Sequence, residues 1–219
     1  MARPPAGVLA PRISAPDLPR GLDDVRTLTA GDDVLQARVT GLRGAVDAAR
    51  LTLTESVLAD VDADRFDLTL ARLADVDIDA PRATELIASR GSWRNVRITG
   101  GRIGALDLGR ADLHSVELRG VRIDYLALGE ADVSDLLVAD CTIGTLDLPR
   151  ATLARVRFER TRADEVDTRE LRASHLDLRG LDAVTYTSPA GLRGATLAPR
   201  QVELLAADLA AAFGIDVRD

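Results

Sequence analysis

The sequence predicts an all-β chain, a parallel β-solenoid closed at its far end by an α-helix. Two nested periodicities and one terminal change of pattern carry that prediction. From Leu51 to Leu178 an apolar residue returns at every fifth position, through Leu53, Leu58, Ala63, Leu68 and Leu73 as far as Phe158, Ala163, Ala173 and Leu178. Of these 26 central positions only Thr168 is polar. A second apolar series runs two residues earlier, with Ser56, Pro81, Gly91, Gly101 and Thr161 as its exceptions. A period of five fits neither a helix at 3.6 nor a strand at 2, so the repeat itself must build the fold.

The longer period is twenty. Residues 102–121, 122–141 and 142–161 align so that Ile103, Ile123 and Ile143 share one column, Leu106, Leu126 and Leu146 a second, and Ala111, Ala131 and Ala151 a third. Twenty residues are four pentads, so each coil returns to its start after four short sides. Coils stacked as parallel strands sit about 4.8 Å apart, and each rests only on its neighbours. Residues 42–181 make seven such coils, a rod roughly 30 Å long.

The elements follow in order along the chain. Residues 1–24 hold Pro4, Pro5, Pro11, Pro16 and Pro19 without apolar periodicity, and read as a flexible or loosely draped arm. Residues 25–50 contain Val25, Leu28, Val34, Leu35, Val39, Leu42 and Val46, strand-like but mostly out of frame. They are expected to form an irregular cap, because an exposed parallel edge invites aggregation. Residues 51–198 form the solenoid, with the frame breaking at 183–189 and resuming one residue displaced at Ala190 and Ala195. A helix then spans 199–214: Pro199 suits a first helical turn, Val202, Leu205, Leu209 and Phe213 follow helical spacing, and Gly214 ends the run. That helix either caps the last coil or pairs with its copy in a second chain.

The triplets Ala111-Asp112-Leu113, Ala131-Asp132-Val133 and Ala71-Arg72-Leu73 resemble the A(D/N)Lxx signature of the pentapeptide-repeat family, in its actinobacterial-type members. The resemblance covers 26 consecutive in-frame pentads, about 60% of the 219 residues. It implies a right-handed quadrilateral β-helix in which the central residue and the one two before it point inward. It also implies dimerisation near the C-terminal helix. Some relatives are dimeric DNA mimics that bind DNA gyrase and modulate quinolone action. One departure is that the inner second position here is often Val or Leu, so the interior is bulkier than in an all-Ala version.

Composition narrows the function classes. The net charge is −7, which argues against direct binding of nucleic acid by a basic surface. All 28 basic residues are Arg, a mark of a GC-rich genome rather than of a mechanism. The single cysteine, Cys141, falls on an inward position and reads as a buried, inert thiol. No run approaches 18 apolar residues and no signal-peptide core is evident, so no membrane span is expected and a cytoplasmic location is.

The search for chemistry returns no nucleotide-binding Gly-Lys-Ser/Thr loop, no HExxH and no GxSxG. Gly100, Gly101 and Gly104 read as turn glycines, and His114 and His175 lie three coils apart, too far to share a metal. The chain is therefore expected to be no enzyme and to need no metal or cofactor. Trp93 reads as a core residue matched in volume by Pro81, Ala83, Ala88, Gly91 and Gly101. Arg82, Arg102, Arg122 and Arg162 form a ladder on one side, with Glu85, Asp124, Asp164 and Glu165 as its counter-charges.

Acidic charge is concentrated in the first coils. Glu55, Asp60, Asp62, Asp64, Asp67, Asp75, Asp77 and Asp79 face only Arg65 and Arg72, eight against two, a net of −6. Glu55, Asp60, Asp62, Asp64, Asp75, Asp77 and Asp79 are the candidate interaction surface. Val202, Leu205, Leu209 and Phe213 are the candidate dimer helix. The reading that results is a non-enzymatic interaction or scaffold protein for an unidentified protein partner. The alternative is a DNA-mimicking modulator of DNA gyrase or another topoisomerase.

Overall fold

The computed structural model describes residues 7–218, so the Pro4 and Pro5 portion of the arm lies outside the described residues. The chain winds into a parallel β-solenoid of about eight turns. Eight-residue strands such as Arg72–Asp79, Asp112–Arg119 and Asp132–Ala139 stack in one sheet, and six-residue strands such as Arg82–Ile87 and Arg122–Ala127 in the other. Every central pairing is offset by twenty residues, as in Leu113 with Val133 and Ile103 with Ile123. Both inward series are buried, and their side chains form one continuous core.

The polar exceptions in that core are satisfied where they stand. The Thr168 hydroxyl reaches the carbonyls of Ser188 at 2.8 Å and Thr187 at 3.1 Å. Ser56 donates to the Thr54 carbonyl at 2.6 Å and accepts the Ala37 amide at 2.9 Å. Thr161 reaches the carbonyls of Glu159 and Val138. A buried hydroxyl is tolerated when it finds such partners.

Corners are where the chain meets local cost. Leu70, Arg90, Arg110, Glu130 and Arg150 adopt left-handed φ near 60°, and so do Glu55, Asp75, Asn95, Ser115 and Asp135 on the next corner. Each costs a non-glycine residue about 1–2 kcal/mol. The ladder running through the corners offsets that cost, for Arg72 N–H donates to Leu51 O at 2.8 Å and Leu128 N–H to Asp147 O at 2.8 Å. Asp47, Asp67, Asp107 and Asp167 each accept a bond from the amide two residues on, at 2.8–3.1 Å. This is the local turn chemistry that favours Asp at such a position.

The first layer has a reason to look out of frame. Asp33 pairs with Thr52, Val39 with Leu58 and Arg43 with Asp62, all nineteen apart, and an irregularity between Gly44 and Ala45 restores twenty at Val46 with Phe66. One missing residue therefore shifts the pattern while the layer still pairs. At the other end the register holds longer than the sequence suggests. Leu181–Thr187 pairs with Thr161–Asp167 at the full offset of twenty, and Tyr186 is buried. The break falls at Ser188, with φ 60°, rather than at 183. Ala195 then pairs with Leu176, nineteen apart, which is the expected displacement of one.

In place of one helix over 199–214 there are two, α1 (Pro199–Leu204) and α2 (Ala206–Ala212), divided at Leu205. The Gln201 side chain ties the start of α1 to the last coil. Its amide donates to Leu178 O at 2.8 Å and Leu181 O at 2.7 Å, and Leu178 O also accepts the Leu181 N–H at 2.9 Å. Leu205 is 7% exposed and Leu209 packs against the core, so these two residues face the rod and close it.

Candidate functional site

The seven acidic candidates lie on the first coils but are not one strip. Asp60 pairs with Arg43 at 2.7 Å and Asp77 with Arg97 at 2.7 Å, cations supplied by neighbouring coils. Glu55 accepts the Gln36 side-chain amide at 2.6 Å. Asp75 accepts both the Asn95 side chain and the Asp17 amide. Asp62, Asp64 and Asp79 are exposed and have no ion-pair partner among the described residues. An open recess of about 440 Å³ begins on the same coils, lined by Arg50, Arg72, Arg90 and Arg110 together with Asp112. Positive and negative surface therefore alternate around one turn.

Carboxylate–guanidinium relays cross the other coils. Glu130 lies between Arg110 at 3.0 Å and Arg150 at 2.6 Å, and those two guanidinium groups pull its carboxyl down to about 2. Arg160, with Arg119 beside it, holds Asp140 below the ordinary carboxylate range. In the Arg ladder, Asp124 answers Arg102 at 3.0 Å and Arg122 at 3.5 Å, and Asp164 answers Arg162 at 3.7 Å. Glu85 instead pairs with Arg65 at 3.0 Å. Exposed pairs of this kind are largely screened by solvent, so they order the surface more than they hold the fold.

The remaining candidates are placed apart. The imidazole of His114 meets the Ser134 hydroxyl at 2.8 Å, whereas Nδ1 of His175 accepts the Leu9 amide at 3.3 Å. Cys141 is buried between the carbonyls of Ala139 and Leu118, and burial pushes its thiol up. Of the helix candidates, Val202 and the 79% exposed Phe213 face outward together with Leu204, Ile215 and Val217.

Sequence reasoning missed the most elaborate polar arrangement on the surface. Residues 7–19 run extended along one corner of the rod, over the column Asp75, Asn95, Ser115, Asp135, Arg155 and His175. The Arg12 amide donates to Asp135 at 2.9 Å, and the Asn95 side chain donates to Ala15 O at 3.2 Å. Val8, Pro11, Ile13, Pro16 and Leu18 are half-buried along the seam. One signal was present in the sequence: from Glu55 to His175 that column contains no apolar residue.

Asp135 is the best-buried anion of this seam, 1% exposed and bridged twice by Arg155 at 2.6 and 2.7 Å. The Arg155 guanidinium, and after it the Arg12 amide, hold its carboxyl below the ordinary range. A depressed folded value means the contribution is complete above the unfolded value of about 3.9 and is lost as pH falls through the folded one. Exchange protection of the Arg12 amide should therefore persist at pH 5 and fail only in stronger acid. Loss of protection already at pH 5 would contradict the Asp135 contact.

A scan of protein-family models gives no match to this chain, and a search of curated proteins gives none either.

Proposed function

We propose that this chain is a pentapeptide-repeat protein, a right-handed quadrilateral solenoid that serves as a non-enzymatic interaction or scaffold module for a protein partner. The observation that carries this reading is the uninterrupted twenty-residue register, which presents charged side chains at fixed intervals on a frame held by one core. A rigid display of this kind keeps down the ordering cost of binding. Capture of partners from the native host, with and without Asp60, Asp62, Asp64, Asp75, Asp77 and Asp79 changed to Asn, tests it. A partner lost in the sextuple variant supports the acidic coils as the contact, and a partner retained moves the contact elsewhere.

The alternative is modulation of DNA gyrase by mimicry of DNA. In its favour stand the bare carboxylates of Asp62, Asp64 and Asp79. Against it stand the pairing of Asp60 and Asp77 and the arginine recess that begins on the same coils, since a mimic must replace a continuous phosphate charge. The expected result is weak or no inhibition of supercoiling by the wild type. Strong, salt-sensitive inhibition that the sextuple variant abolishes would reverse the order of the two readings.

The homodimer belongs to the same proposal, on a different face from that expected. Leu205 and Leu209 are occupied by the rod, so the residues left for pairing are the exposed Leu204 and Phe213. Light scattering should give twice 23.4 kDa, and Leu204→Arg with Phe213→Arg should return it to a monomer. Leu205→Arg should instead lower thermal stability by unseating the cap. A wild type that is monomeric at micromolar concentration would leave the helices as a cap alone.

A further inference from the structure

We propose that the corner column from Asp75 to His175 is a binding surface for an extended, proline-containing segment of a protein partner, and that residues 8–18 occupy it as a built-in competitor. This deepens the interaction reading above and rests on it.

The argument begins with two repeats that match. Leu9, Arg12 and Ala15, each three residues apart, meet His175, Asp135 and Asn95, each forty residues or two coils apart. Three residues of polyproline-type chain rise about 9.3 Å. Two strand spacings rise about 9.6 Å. A polyproline-like segment laid along this corner thus returns to the same polar handle every second coil. Pro11, Pro16 and Pro19 fix φ, and each preceding residue is biased to extended backbone, so the arm is set in that geometry in advance.

Recognition is directed at main chain. His175, Asp135 and Asp75 accept the amides of Leu9, Arg12 and Asp17, and Asn95 donates to a carbonyl. Contacts of that type fit any segment of the same backbone geometry, while the half-buried side chains supply selectivity, the division of labour usual in peptide docking. The skipped coils show that the arm is an imperfect occupant. Arg155 turns aside to Asp135, and Ser115, 8% exposed, keeps a buried hydroxyl without a partner among the described residues. No described residue of the arm belongs to the buried core, which begins at Leu28, so release uncovers the corner without opening the rod.

A tethered arm competes at an effective concentration in the millimolar range, so the test weakens it in place. In the full chain, Arg12→Pro with Asp17→Pro removes the two amides given to Asp135 and Asp75 and leaves the rod untouched. A fluorescent peptide with the sequence of residues 7–20 is titrated against both chains and followed by anisotropy. The double-proline chain should bind it at least about tenfold more tightly than wild type does. A peptide carrying the same two prolines should bind at least about tenfold more weakly than the unaltered one, and Asn95→Ala in the rod should reduce binding further. The proposal is overturned if the double-proline chain keeps the wild-type melting temperature yet gains no affinity. It is equally overturned if the amides of Leu9, Arg12 and Asp17 exchange only together with those of the core strands. Either failure removes the seam and leaves the interaction reading to its own test on the acidic coils, run with Asp75, the one member of that set the arm touches, left unchanged.

Discussion

Leu128→Asp should abolish cooperative folding near neutral pH or lower the melting temperature more than any other single change considered. Leu128 is 1% exposed and stacks in the column of Leu108 and Leu148, both buried. Its carbonyl closes the turn to Ala131 N–H at 3.1 Å, so the side chain cannot swing outward without opening the corner. A carboxylate placed there has no cation to meet. Unpaired buried charge belongs to the mechanisms that exceed about 4–5 kcal/mol, against a total stability of about 5–15 kcal/mol for a domain. Because each coil rests on its neighbours, the damage should spread to the turns on both sides.

A sign check separates charge from lost packing. Burial raises the folded value of the introduced carboxyl above its unfolded value, so its penalty is full above the folded value and fades as pH falls. Leu128→Asp should therefore recover stability between pH 7 and pH 5 relative to Leu128→Asn, measured by thermal melts. A wild-type melting temperature for Leu128→Asp would show that this column does not point inward.

Trp93→Ala should cost about 3–5 kcal/mol, the range for deleting a large buried aromatic. Trp93 is fully buried and lies in register between Leu73 and Leu113. The sequence around it is fitted to its bulk. Ala83 and Ala88 are buried there, and an added Cβ on Gly91 would stand 2.9 Å from Ala71 O, so the backbone has already closed in. Little movement remains that could collapse the cavity. Trp93→Phe should cost clearly less than Trp93→Ala, because it deletes fewer buried atoms and the indole N–H has no partner among the described residues, so no hydrogen bond is lost. Denaturant melts of the two variants decide the matter. Equal costs would mean that the indole nitrogen is hydrogen-bonded, and a small cost for both would mean that the coil collapses. The wild-type fluorescence should be that of a buried indole, shifting to longer wavelength on unfolding.

How far the sequence can be read is clearest at its two weak places. Residues 25–50 look irregular because the first layer is one residue short until Gly44, yet Val39 and Leu42 are as buried as any later pair. Residues 183–187 look like a break because Ser188 stands where an apolar residue is due, yet Tyr186 still packs inward. In both places a pattern of side-chain types was disrupted while backbone pairing continued. Pairing depends on main-chain groups, which every residue but proline presents alike.

The sequence by itself determined the coil length, the inward columns and the position of Trp93, because burial acts on each side chain separately and leaves a periodic trace. It also carried the one-residue displacement before the C-terminal helices. Only the tertiary structure decided which charges meet. Asp60 finds Arg43 and Asp77 finds Arg97 across a strand spacing, although each pair is 17 or 20 residues apart in the chain. It also decided that Leu205 caps the last coil and that the proline-rich arm lies on the polar corner. Those outcomes depend on the stacking distance between coils and on the match between that distance and an extended chain, which appear only once the coils are stacked.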